Sequence, residues 1–161
     1  MSTPTINKDC TMSIIEFLEE PGEVRKRLDR MSRILESMKD ADGYVGPRIS
    51  DTPRSSSNTF HSTVEDTVCR IDEYENAYRD LEEQLEKAVT TVKTALSRIS
   101  DLEIRAALTK MYLHDMKLTA IASSFGTSAS TIKRKLTMGR TLLENSPEYL
   151  SWKNEKRRKT A

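Results

Sequence analysis

At 161 residues the chain holds one domain of ordinary size, or one small domain plus an extended helical part. Only 36% of the residues are hydrophobic and 32% are charged, a balance too polar for a single compact globule and suited to long exposed helices. The formal net charge of +1 conceals an uneven spread: Thr63–Ser100 carries nine acids against five bases, and Lys117–Ala161 ten bases against three acids. An acidic middle and a basic end is the asymmetry expected when one end meets a polyanion.

Met1–Cys10 is polar, with Pro4 early, and is expected to be disordered. Met1–Thr11 lacks the apolar core of a signal peptide, and no run approaches the ~18 apolar residues of a membrane span, so a soluble intracellular protein is expected. Apolar residues then recur every seven positions. Phe17, Val24, Met31 and Met38 form one series, and Ile14, Leu28 and Leu35 the other. This is a heptad seam. Its defect is Pro21-Gly22. Proline costs ~3 kcal/mol inside a helix and little in its first turn, so the spacing predicts a short helix from about Thr11 to Glu19 and a longer one from about Pro21 to Lys39.

Asp40–Ser62 breaks the periodicity with two Gly, two Pro and a Ser run, and reads as a flexible, disordered connection. His61 stands in it alone. From Thr63 the pattern resumes: Ile71, Tyr78, Leu85, Val92 and Ile99 lie seven apart, with Tyr74, Leu81, Ala88 and Ala95 interleaved. A helix from Thr63 to Ile99 would be a rod of roughly 55 Å at ~1.5 Å per residue. One apolar seam on so long a helix needs a partner: the earlier heptad helix folded back antiparallel, or a second copy of the chain. Tyr74 and Tyr78 belong to this seam rather than to a stacking platform.

Ser100-Asp101 can cap a further helix from Leu102 to about His114. After the turn Asp115-Met116-Lys117, Leu118, Ile121, Ala122 and Phe125 fall at i, i+3, i+4 and i+7, one stripe of a short helix. Gly126 follows where a helix ends in a left-handed residue, and Thr127 or Ser128 can cap the next helix. That helix carries Ile132, Leu136, Gly139 and Leu143 on one side, with Lys133, Arg134, Lys135 and Arg140 around the remainder. Short helix, tight turn and basic second helix follow the order of a helix-turn-helix. Asn145-Ser146-Pro147 stops the helix, Tyr149, Leu150 and Trp152 are placed to pack back, and a basic tail follows. The fold class expected is all-α. Its parts are a disordered start (1–10), a helical hairpin over 11–99 with a loop at 40–62, a helix-turn-helix domain over 100–146 and a basic tail over 147–161.

Asp101–Glu144 resembles the sigma-70 region that reads the −35 promoter element, and more closely the small phage and prophage regulators that use the same module, the Arp-type and Rin-type activators of late-gene or autolysin transcription. Leu108, Met111 and Tyr112 carry the resemblance, with L-T-A-I-A-S-S-F-G (Leu118–Gly126) and S-A-S-T-I-K-R-K-L (Ser128–Leu136). Two stretches depart from the pattern: Thr119-Ala120 stands for the usual acidic pair, and Ala129-Ser130-Thr131 for a charged segment. The resemblance implies a DNA-binding regulator in the cytoplasm of a bacterial host, with RNA polymerase as a further partner.

In a major groove the first two turns of the second helix face base edges, so Ser128, Ala129, Ser130, Lys133 and Arg134 are the reading set. Lys or Arg reads guanine, serine reads several edges weakly, and alanine meets a thymine methyl. Lys117, Lys135 and Arg140 are assigned to phosphates, together with a backbone N–H at Thr127 or Ser128. The partners expected are double-stranded DNA, and a second copy through the heptad helices; no membrane is involved. No catalytic set, phosphate loop, cofactor motif or metal-ligand cluster appears, since His61 and His114 lie apart and Cys10 and Cys69 are isolated. Both cysteines are expected as free thiols, buried or half-buried. A second function also fits: a packaging protein of the small-terminase type, which joins a helix-turn-helix to coiled-coil helices and assembles as a ring. A third is a module whose basic helix binds polymerase and no DNA.

Overall fold

The computed structural model of the chain describes residues 13–42 and 63–160. The expected disordered start, Cys10, most of the expected loop and His61 lie outside the described residues. Within them the fold is all-α, with helices α1 (Ile14–Asp42), α2 (Thr63–Ser97), α3 (Leu102–Leu108), α4 (Leu118–Phe125), α5 (Ala129–Leu143) and α6 (Pro147–Thr160). No described helix is long and apolar enough to cross a membrane.

α1 begins with a reciprocal cap. Ser13 Oγ accepts from the Glu16 N–H and the Glu16 carboxylate accepts from the Ser13 N–H, each at 3.3 Å. The break expected at Pro21 does not occur, and α1 runs through it as one helix. Pro21 is itself fully buried, next to Phe17 at 1% and Leu18 at 0% exposure. Burying two such side chains stabilises by ~1.5–3 kcal/mol each, enough to offset the lost hydrogen bond of one proline.

The chain divides into two compact units. One unit takes α1 as far as Glu23 together with everything from Glu86 onward. Its core joins Phe17 and Leu18 of α1, Val92, Ala95 and Leu96 of α2, and the buried residues of α3 to α6. Thus the C-terminal module is not freestanding: both helix ends are part of its core. The other unit is Val24–Leu85. In it Val24, Leu28 and Leu35 of α1 are buried, and Lys39 pairs with Glu75 at 2.7 Å. Cys69 is exposed rather than buried, because it falls two positions off the α2 seam.

The stretch expected as a basic tail is helix α6. Ser146 and Pro147 stop α5 and also start the next helix. Ser146 Oγ accepts from the Tyr149 N–H at 3.4 Å, and Pro147 occupies a first-turn position where its missing donor costs nothing. Tyr149 and Trp152 then meet the Phe17 ring edge-on, at 5.7 and 5.5 Å between centroids. The Trp152 indole N–H donates to the Glu20 carboxylate, which also pairs with Lys156 at 2.6 Å. Arg98 and Glu148 tie the end of α2 to α6 at 2.8 Å.

Candidate nucleic-acid interface

Three helices build the candidate site. Asp101 caps α3, its carboxylate accepting from the N–H groups of Glu103 and Ile104 at 2.9 and 3.1 Å. The expected helix Leu102–His114 holds α geometry only as far as Leu108; Thr109–Leu113 form a π turn, closed by the His114 N–H on the Thr109 carbonyl at 3.2 Å. Asp115 follows with φ 51°, a left-handed conformation that an aspartate tolerates better than most side chains. The chain then enters α4.

The turn between α4 and α5 is a Schellman motif. Gly126 takes φ 62° and ψ 30° and donates to Ser123 at 3.1 Å, while the Thr127 N–H reaches back to Ala122 at 3.0 Å. Ser128 then caps α5 through its hydroxyl, which accepts from the Thr131 N–H at 3.2 Å. Ile132, Leu136, Gly139 and Leu143 are the buried stripe of α5. At Gly139 the two helices touch: a Cβ there would lie 2.5 Å from Leu108 Cδ1 and 2.7 Å from Ile104 Cγ2. Only a hydrogen fits, so this glycine sets the approach of α5 to α3.

With that stripe inward, Ser130, Lys133 and Arg134 fall together on the exposed face of α5, near its start. Ser128 is exposed at the cap. Ala129 is not on that face; it is half-buried and packs against the core. Among the expected phosphate contacts, Lys117 is exposed at the start of α4, and Thr127 is exposed but its N–H is already engaged by Ala122. A backbone donor for a phosphate therefore cannot come from Thr127. Lys135 is mostly buried and paired with Glu103 of α3. Arg140 donates from Nε to the Tyr112 hydroxyl at 2.8 Å and lies 5.7 Å over that ring, which orients the guanidinium. Burial pushes the Tyr112 hydroxyl above its ordinary pKa, and the Arg140 bond partly opposes the shift.

Three further exposed residues, whose place the sequence did not make evident, share the α5 face: Thr137, Met138 and Thr141. Thr137 and Met138 lie three and four residues beyond Arg134 and Thr141 seven beyond it, the helical spacing that was the available signal. The hydroxyls of Thr137 and Thr141 bond back to the carbonyls of Lys133 and Thr137 at 3.0 and 3.2 Å, so what they present outward is largely methyl. Most bases of α6 are engaged within the fold: Lys156 with Glu20, Lys159 with Glu155, and Lys153 over the Tyr149 ring at 5.7 Å. Compared with models of protein families, with curated proteins and with solved structures, the chain matches none.

Proposed function

We propose that the protein is a sequence-specific DNA-binding regulator of transcription, with α4 and α5 acting as a helix-turn-helix and α5 lying in the major groove. One observation carries the reading: the left-handed turn at Gly126 joins two short helices so that the second buries Ile132, Leu136 and Gly139 and turns Ser130, Lys133 and Arg134 outward. Lys133 and Arg134 are the direct readers, each able to bind guanine O6 and N7, and the threonine methyls at 137 and 141 suit thymine methyls. Arg140, held by Tyr112, and Lys117 at the start of α4 are phosphate contacts that fix register. The narrower role, an activator of phage or prophage late or autolysin genes in a bacterial cytoplasm, rests on the resemblance of Leu118–Gly126 and Ser128–Leu136 alone.

The test is a gel shift with duplex DNA from upstream of the protein's own operon, repeated at several salt concentrations. Binding should favour one segment and weaken steeply as salt rises. Equal binding to every sequence, or none at low salt, overturns the proposal.

A further inference from the structure

Where α2 ends and α3 begins, the chain leaves a groove of about 640 Å³ that the DNA reading does not use. All of its lining residues belong to the unit that holds the core cluster. Leu96 and Leu113, 2% and 7% exposed, form its apolar base, and Leu102 at the start of α3 is left 67% open to solvent. The α3 wall continues through the π turn at Thr109–Leu113, a geometry frequent at functional sites.

The polar groups that face an occupant have one sign. Ser97 and Thr109 line the groove, but their hydroxyls bond back to the carbonyls of Thr94 and Arg105 at 2.7 and 2.9 Å. Both therefore offer little hydrogen-bonding capacity outward. What remains is Lys93, Arg105, Lys110 and His114, with no carboxylate among the lining residues. The acids beside them in sequence are engaged elsewhere: Asp101 caps α3, and Glu103 holds Lys135. Lys110 is steadied by the Ser124 hydroxyl at 2.7 Å and the Phe125 ring at 4.6 Å. No ion pair among the described residues takes up Lys93 or Arg105.

Three bases around an open leucine select an occupant that is acidic and apolar at once. A DNA backbone would meet the charge and leave the leucines wet. The wall from Leu102 to His114 is roughly 18 Å long at ~1.5 Å per residue, about three turns of a helix. We infer that this groove docks an acidic amphipathic helix of a partner protein. Its apolar side chains, at i, i+3 or i+4 and i+7, cover Leu102 and Leu113 while its carboxylates meet Lys93 and Arg105. The inference does not rest on the DNA reading.

The probe is a library of random displayed peptides of ~14 residues, enough for the groove's length, selected on the full chain. Enriched peptides should be net acidic with apolar residues at helical spacing. The most enriched one, synthesised and labelled, gives a dissociation constant by fluorescence anisotropy, and amide shifts on titration should cluster within residues 93–114. Leu102→Asp should raise that constant at least ~10-fold. An acid is favourable in a first helical turn, so helicity by circular dichroism should hold. Lys93→Glu should raise it about 5-fold at low salt and less at high salt, again with helicity retained. Excess duplex DNA should leave the peptide bound. No enrichment of acidic amphipathic peptides, shifts centred elsewhere, or binding indifferent to Leu102→Asp overturns the inference. So does displacement by DNA, which would make the groove part of a nucleic-acid contact.

Discussion

Gly139, Glu103 and Arg134 each make a separate demand on the chain. A methyl at Gly139 would enter the space of Leu108 and Ile104. Gly139→Ala should therefore destabilise by ~1–3 kcal/mol even though alanine is the better helix former, and urea unfolding measures it. A neutral or stabilising result would mean that α3 gives way. Arg134→Ala should cost ~1–3 kcal/mol in binding to the preferred DNA and little on unrelated DNA, as read by competition gel shifts. Lys135→Ala should do far less than its place in a basic run implies, because Glu103 already holds that ammonium. Glu103→Gln releases it and should steepen the logarithmic salt dependence of binding by about one; an unchanged slope would mean that Lys135 does not reach DNA. Ser130, Lys133 and Arg134 were legible in the sequence because helical periodicity places them opposite Ile132 and Leu136. The restraint on Lys135 and Arg140 was not, since Glu103 and Tyr112 are 32 and 28 residues away along the chain.

Among the elements, α6 departs most from what its composition indicates. A run of lysines and arginines reads as a solvated tail, yet Tyr149 and Trp152 fix it to Phe17 of α1. Phe17→Ala should lower stability by ~3–5 kcal/mol and, because Phe17 shares one core with α3, α4 and α5, should also reduce DNA binding on warming. Loss of α6 signals alone, with α3–α5 melting unchanged by residue-resolved NMR, would show that the cluster is local. The Arg98 guanidinium bonded to Glu148 holds that carboxyl below its ordinary pKa of 4.5. A depressed carboxyl contributes stability above its unfolded value and loses it as pH falls through the folded one. The melting temperature should therefore decline below about pH 4.5, and less so in Glu148→Gln, when scanned from pH 6 to pH 3. Parallel curves for both proteins would remove this pair from the acid response. The π turn at Thr109–Leu113 was equally hidden, as was the unbroken helix at Pro21, where burial of Phe17 and Leu18 outweighed local preference.

At the level of the whole molecule, a dimer would carry two copies of α5. Its binding sites should be paired half-sites, ~34–36 Å apart or a multiple of that, visible as a repeat in a hydroxyl-radical footprint. A single uninterrupted half-site occupied by one copy would count against paired reading. The all-α class, the start and end of α4, the left-handed glycine and a hydroxyl cap of α5 at Thr127 or Ser128 follow from the sequence alone. All are set by interactions within a few residues, where periodicity, a missing Cβ or a cap hydroxyl is decisive. Only the tertiary structure decided that α1 continues through Pro21, that the basic C-terminus is a packed helix, and that both heptad helices end inside the core of the C-terminal module. Each depends on contacts between residues distant along the chain, Phe17 with Trp152 above all, and no local pattern encodes which distant side chain will fill a given space.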